Sequence, residues 1–202
     1  MGVAGVLPDT PKDGAVFFQK TRNIIVGNIR QSLDAALKRA AELGFEPEII
    51  SSELEGEARH AARSLATKAI EARSAVRPGD RPRCLLAGGE TTVTVTGTGS
   101  GGRNQELALA FALEVAGTKG ITLLSAGTDG TDGPTDAAGA IVDGETAGNA
   151  RERGIYPEIY LANNDSYTFF ARLDVLTKEK HHIVTGPTKT NVMDLQIILI
   201  EA

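Results

Sequence analysis

The chain has 202 residues, of which 41% are hydrophobic and 23% are charged, and its formal net charge is −5 at pH 7. This length and hydrophobic content suffice for one sizeable core or two small ones, so we expect a globular protein. The acidic balance and an aromatic content of 4% exclude the basic, base-stacking surface of a nucleic-acid-binding protein. The single cysteine, Cys84, excludes a disulfide framework and a cysteine-rich zinc site.

Targeting signals are missing from the sequence. No apolar stretch is long enough to span a bilayer, and the first residues lack the charged and apolar regions of a signal peptide. We therefore expect a cytoplasmic protein with no nucleic-acid or membrane partner. Residues 1–20 are expected to form a tether or the remnant of a preceding domain, and residues 21–202 a single domain.

Apolar strands alternate with amphipathic helices, which predicts an α/β layered domain with a mixed, largely parallel sheet flanked by helices. Asn28 is the expected N-cap of the first helix and Gly44 its end, and the helix over 104–116 is apolar nearly all round, which predicts burial. The expected strands are 22–26, 48–51, 84–87, 91–96, 121–126, 138–142, 183–184 and 195–200, and the expected helices are 29–40, 58–76, 104–116, 146–153 and 166–173.

A glycine-rich turn over 97–102 leads directly into the buried helix. Glycines let backbone N–H groups approach an anion closely, and a helix N-terminus adds about half a positive charge. We expect a phosphate or carboxylate here, gripped by Arg103. The residues assigned to this site are Gly97, Gly99, Ser100, Gly101, Gly102 and Asn104. The alternatives are a tight turn without a ligand and a surface arginine.

An aspartate-rich loop over 127–136 follows the expected strand 121–126, at the strand end where open α/β sheets bind ligands. Asp129, Asp132 and Asp136 are candidates to coordinate Mg²⁺, the alternative being that they satisfy turns and cap the next helix. Glu90 closes a Gly-Gly turn and is either a ligand or base, or an ordinary turn residue. The three histidines have no metal-ligand spacing and are interpreted as structural.

Five ordered motifs closely resemble those of the MOFRL-type glycerate kinases. They occupy residues 88–95, 97–106, 125–140, 163–167 and 185–192. The resemblance extends from about Leu7 to the end of the chain, but it covers only the C-terminal half of a typical family member. The chain departs from the family pattern at Ser100, where a basic residue is expected, and at Lys189 and Met193 in the last motif.

The resemblance implies half of a two-domain, ATP-dependent kinase that phosphorylates glycerate on its 2-hydroxyl and uses Mg²⁺. The ligands would be a small hydroxy acid and a nucleotide, in a cleft between the halves, and the absent N-terminal half would be the partner and supply an essential lysine. Arg103 would then be the catalytic or anion-clamping arginine, and Asp129 a catalytic residue. Asp129, Asp132 and Asp136 would line the cleft, and Glu90 and Asn191 would bind substrate.

Two other functions remain open at the sequence level. Relatives of this family have been described as hydroxypyruvate reductases, in which case Gly97, Gly99 and Gly102 would form a nicotinamide fingerprint, although the acidic ribose partner expected about 20 residues later is missing. The second function is that of a non-catalytic module, which binds an acid or docks on a partner protein. Such a module would expose an apolar face, through which it would also form a homodimer.

Overall fold

The computed structural model of the chain describes residues 16–22 and 24–202. Most of the expected tether over 1–20 lies outside the described residues, and its last part, Val16–Lys20, is a short 3-10 helix. The division into a tether and a single domain stays a prediction. None of the helices in the described ranges combines the length and the apolar character that crossing a membrane requires.

Six strands form one sheet in the order β1-β2-β6-β3-β4-β5. They are β1 (Glu46–Leu54), β2 (Arg83–Gly89), β3 (Ile121–Gly127), β4 (Gly139–Asp143), β5 (His182–Ile183) and β6 (Asp194–Ile200). The pair β1 and β2 is parallel, and the other neighbouring pairs are antiparallel. The α/β class and the mixed sheet are confirmed, whereas the expectation of a largely parallel sheet is wrong, because the last strand inserts between β2 and β3 in the opposite direction.

The helices cover both faces of this sheet. They are α1 (Ile29–Glu42), α2 (Ala58–Ala75), α3 (Arg103–Glu114), α4 (Thr146–Glu152), α5 (Pro157–Ala162) and α6 (Ser166–Thr177). The start of α1 is confirmed, because Asn28 and Gln31 cap each other's backbone amides reciprocally. Gly44, at φ +94°, adopts the left-handed conformation just after the helix ends. Helix α5 was not predicted from the sequence.

Side chains alternate across β2 and so divide the core into two layers. Leu85 and Ala87 pack in the cluster of α2 and α3, while Cys84 and Leu86 pack against α1. Residues 104–112 of α3 are all buried, which confirms the prediction of a deep helix. Cys84 is a core residue, and burial raises the pKa of its thiol to about 11.

Two predicted strands are wrong. Residues 24–26 join no strand, and Ile24, Ile25 and Val26 are 66%, 81% and 90% exposed. The segment over 91–96 makes one parallel bridge, between Thr92 and Glu57, and is otherwise irregular. The Thr92 amide donates to the Gly56 carbonyl, and the amides of Thr94 and Thr96 donate to the side chains of Glu57 and Asn164. Threonine alternation alone does not reveal these partners.

The adjacent histidines lie between α6 and the sheet. Nδ1 of His181 is 2.7 Å from the Asp174 carboxylate, and the ring of His182 lies against that of Tyr167 with 4.7 Å between centroids. Nε2 of His182 is buried, with no hydrogen-bond partner among the described residues. These contacts join α6 to the segment around β5, and a purely structural role of the three histidines stays a prediction.

The His182→Phe variant should make stability less dependent on pH. Burial lowers the pKa of His182 from 6.5, against smaller opposing effects of Asp174 and Asp136. As the pH falls, the unfolded chain therefore binds the proton before the folded chain does. The free energy of unfolding consequently decreases as the pH falls through 6.5. Urea unfolding of both proteins at about pH 7.5 and about pH 5.5 should show a smaller loss in the variant. An identical loss in both would contradict this.

Candidate functional site

The strand register gathers acidic residues at one edge of the sheet. Asp194 begins β6 and lies opposite Gly89 of β2 on one side and Gly127 of β3 on the other. Glu90 follows the first glycine, and Asp129 lies in the loop after the second. A side chain at Gly127 would lie 3.0 Å from Asp129 Oδ1 and 3.5 Å from Asp194 Oδ1, so these two carboxylates are close neighbours.

Arg103, the first residue of α3, meets this acidic edge. Its Nε and Nη2 donate to the two carboxylate oxygens of Asp194 at 2.6 and 2.9 Å, and Glu90 Oε1 lies 3.1 Å from Nη2. Asp194 is 1% exposed, and its carboxylate raises the pKa of Arg103 far above the ordinary value. Removing one member of such a buried pair costs about 3–5 kcal/mol. Asp194 is not among the site residues predicted from the sequence, although an acid at the start of an apolar strand is a usable signal.

The first part of the glycine-rich turn binds the protein itself. The amide of Gly97 donates to Asn164 Oδ1 at 3.0 Å, that of Gly99 to the Asn163 carbonyl at 3.0 Å, and that of Ser100 to Asp165 Oδ1 at 2.9 Å. For these residues the expected anion-binding role is corrected, because their N–H groups already have acceptors.

Glycine is required here for space. A Cβ at Gly97 would lie 2.2 Å from the Asn163 carbonyl oxygen, and one at Gly99 would lie 2.3 Å from Asp165 Cβ. Both contacts are far shorter than van der Waals distance, so the turn packs directly on the backbone before α6. The glycines at these two positions therefore permit a close approach of two chain segments.

The end of the turn has free donors. Among the described residues, the amides of Gly101, Gly102 and Arg103 donate no hydrogen bond. These residues border a cleft of about 590 Å³. Its other lining residues are Glu90, Thr91, Thr92, Val93, Val95, Gly99, Glu106, Gly133, Pro134 and Asn164. Free amides at a helix N-terminus, beside a fixed guanidinium, suit an oxyanion.

Asp132 caps α3 from inside the protein. Its oxygens accept from the amides of Asn104 at 3.0 Å and Gln105 at 2.9 Å, and from both side-chain amides. Burial raises the pKa of Asp132, although these four bonds oppose the shift. Asn104 also accepts from Ser125 Oγ at 2.7 Å, so neither residue has a free group for a ligand, which corrects their assignments to metal and anion binding.

The three loop aspartates do not converge on one point. Asp129 Oδ1 accepts from the Thr131 amide at 3.1 Å, and the exposed Asp136 accepts from the Tyr167 hydroxyl at 2.8 Å. Across residues 16–22 and 24–202, no group of three or more His, Cys, Asp or Glu side chains is placed to hold a metal ion. The alternative expected from the sequence is that these aspartates form turns and helix caps. Asp129 forms a turn, and Asp132 caps a helix.

A second network of buried hydrogen bonds lies beside the cleft, and its residues are not among those predicted from the sequence. Glu106 of α3 accepts from Arg59 Nε at 2.7 Å and from Asn164 Nδ2 at 2.9 Å. Asn164 Oδ1 in turn accepts from the amides of Thr96 and Gly97 at 2.9 and 3.0 Å. Asn164 has φ +52°, a conformation that asparagine tolerates better than most residues.

Asn191 lies in the segment between β5 and β6, where its side chain accepts from the Met193 amide at 3.0 Å. It does not line the cleft, and its substrate role stays a prediction. The same segment is bonded to the start of the aspartate loop, because the amide of Thr128 donates to the Met193 carbonyl and that of Thr188 to the Asp129 carbonyl.

The family profile described as MOFRL matches residues 83–194, which include every residue of the cleft named above. The chain belongs to the MOFRL family. This confirms the resemblance drawn from the five motifs.

Relatives of this MOFRL chain carry two kinds of name. It is 47% identical over 195 residues to a D-glycerate 2-kinase of Thermotoga maritima, matching 96% of the chain and 44% of the relative. It is 37% identical to a glycerate 2-kinase of Pyrococcus horikoshii, over 98% of the chain and 43% of the relative. A protein of Agrobacterium vitis provisionally named a hydroxypyruvate reductase is 40% identical, over 95% of the chain and 42% of the relative.

Solved structures agree with these matches. The crystal structure of a glycerate kinase from Thermotoga maritima superimposes with a TM-score of 0.80 at 49% identity, over 87% of this chain and 41% of that one. A Pyrococcus horikoshii protein does so with a TM-score of 0.80 at 36% identity, over 100% and 44%. The MOFRL chain therefore spans less than half the length of the relatives and structures named above.

The capping role of Asp132 predicts that Asp132→Ala destabilises the fold by about 2–4 kcal/mol, because two helical amides lose their acceptor. Asp136→Ala removes the same charge from an exposed position and should change the free energy of unfolding by less than about 0.5 kcal/mol. Urea unfolding measures both. Equal effects would contradict the distinction between a buried cap and a surface carboxylate.

Proposed function

We propose that this chain is the C-terminal part of an ATP-dependent kinase that phosphorylates glycerate on its 2-hydroxyl. The observation that carries the proposal is the fixed Arg103 guanidinium beside three free amides, in a cleft large enough for a small ligand. Such fixed positive groups stabilise charge on carboxylate and phosphoryl oxygens. The names of the glycerate kinase relatives support the choice of reaction.

Each residue has a defined task in this proposal. Arg103 and the amides of Gly101 and Gly102 hold either the carboxylate of the hydroxy acid or the phosphoryl group in transfer, and Asp194 keeps the guanidinium in place. Asp129, partly exposed and close to the Asp194 carboxylate, orients the attacking hydroxyl and accepts its proton. When bound, Mg-ATP supplies the phosphoryl group.

The donor set suits the nucleotide's phosphates better than a metal ion held by the protein. The free amides and Arg103 are anion-binding groups, whereas the described residues hold no cluster of metal-binding side chains. Within the proposal, Mg²⁺ therefore arrives on the nucleotide.

The proposed partner is the N-terminal half of a complete kinase, which would close the cleft and supply the lysine expected from the family resemblance. Its presence is supported by the coverage of less than half of the relatives named above and by the exposure of Ile24, Ile25 and Val26. A second copy of the chain on this apolar surface is the alternative that a measurement of oligomeric state distinguishes. The cytoplasmic location stays a prediction from the sequence.

Arg103→Lys tests the proposal in the complete protein encoded by the same reading frame. Lysine preserves a charge for Asp194 but lacks the planar fork, so kcat for ADP release with Mg-ATP and D-glycerate should fall by about 100-fold or more. Arg63→Lys is the matched control, because Arg63 is 65% exposed and pairs with Glu114 on the surface. Arg103→Lys with kcat within about threefold of the unaltered protein would contradict the role.

The same assay tests the other functions. The chain alone is expected to release no ADP, and the complete protein to release ADP only with the hydroxy acid present. Hydroxypyruvate-dependent oxidation of NADH in place of ADP release would favour the reductase. The turn is not preceded by a strand, so the strand-turn-helix setting of a nicotinamide fingerprint does not occur at residues 91–103.

A further inference from the structure

The guanidinium of Arg103 is shared unequally between two carboxylates. Asp194 is buried and holds Nε and Nη2 with two short bonds, whereas Glu90 touches only Nη2, at 3.1 Å, and its side chain is 54% exposed. Nη1 has no partner in the described part of the chain. The outer, cleft-facing contact is therefore the weaker and more easily broken of the two.

The anchoring of Glu90 differs between its backbone and its side chain. Its amide donates to the Leu54 carbonyl at 2.8 Å, and the preceding Gly89 cannot carry a Cβ, which would lie 2.2 Å from that same carbonyl oxygen. The carboxylate, in contrast, makes only the ion pair with Arg103 and no hydrogen bond within the described residues. A fixed backbone with a solvent-exposed side chain lets the carboxylate leave Arg103 by rotamer change alone.

A carboxylate at this point opposes the binding of an anion. An oxyanion bound to the outer part of the Arg103 guanidinium would lie close to the Glu90 carboxylate, which lines the same cleft, and two like charges so close repel each other. Glu90 was assigned from the sequence as a ligand for substrate or phosphate. Its sign of charge and its position argue for the opposite action.

We infer that Glu90 is a displaceable carboxylate that occupies the oxyanion position on Arg103 and thereby lowers the affinity of the cleft for free anions. The inference rests on the proposed function, because it takes the ligand to be the carboxylate of a hydroxy acid or a phosphoryl group. Glu90 then acts as a specificity-determining residue: a ligand binds only if its own contacts with Arg103 and the amides exceed those of the internal carboxylate.

Glu90→Gln tests this, because glutamine keeps the shape and removes the charge. Titration of the chain with inorganic phosphate, and separately with D-glycerate, at constant ionic strength should give a Kd about three- to fivefold lower in the variant. Glu145→Gln is the matched control, since Glu145 is 62% exposed, pairs with Lys119, and lies at the opposite end of β3. Its Kd values should equal those of the unaltered chain.

The two titrations distinguish the source of the oxyanion. A gain with phosphate alone assigns the position to a phosphoryl group, and a gain with D-glycerate alone assigns it to the substrate carboxylate. An unchanged or higher Kd for both ligands, an equal gain in Glu145→Gln, or no binding by Glu90→Gln would overturn the inference. Failure of the proposed kinase is separate, because it appears as missing ADP release in the complete protein whatever Glu90→Gln does to anion binding.

Discussion

The pair between Arg103 and Asp194 fixes where chemistry can occur in this fold. Two charged groups in a largely buried position are stable only if their geometry is good and their remaining atoms have partners. The sheet contributes to this geometry through register, because Asp194 stands between Gly89 and Gly127, and the absence of a side chain at Gly127 leaves room for its carboxylate. This pair holds the start of α3 in place, where Gly101, Gly102 and Arg103 border the cleft.

A layer of buried polar groups beneath α3 reinforces this orientation. Asp132 binds the amides of Asn104 and Gln105, and the side chain of Asn104 continues the network to Ser125 and Gln196. Such groups cost free energy when unpaired, so the network favours one position of the helix over alternatives. The three aspartates that the sequence predicts as metal ligands therefore have separate roles. Asp132 caps a helix, Asp129 forms a turn, and Asp136 makes a surface hydrogen bond.

Periodicity revealed most of the elements but little of their arrangement. The capping residues of α1 and the apolar character of α3 are local signals, and both were read correctly from the sequence. The antiparallel insertion of β6 is non-local, because nothing in an alternating strand states which neighbours it will have or in which direction it will run. The same limit applies to Asp194, whose importance depends on Arg103, a residue far away in sequence.

The glycine-rich turn shows why a motif can mark the right place for the wrong reason. The sequence predicts that the amides of this turn bind an anion. In the structure, the amides of Gly97, Gly99 and Ser100 instead donate hydrogen bonds to the segment 163–165. Glycine is needed there because two backbones touch, and that contact in turn fixes the position of Gly101 and Gly102. Glycines that position a site and glycines that contact its ligand therefore look alike in the sequence. Only their hydrogen-bond partners in the structure distinguish them.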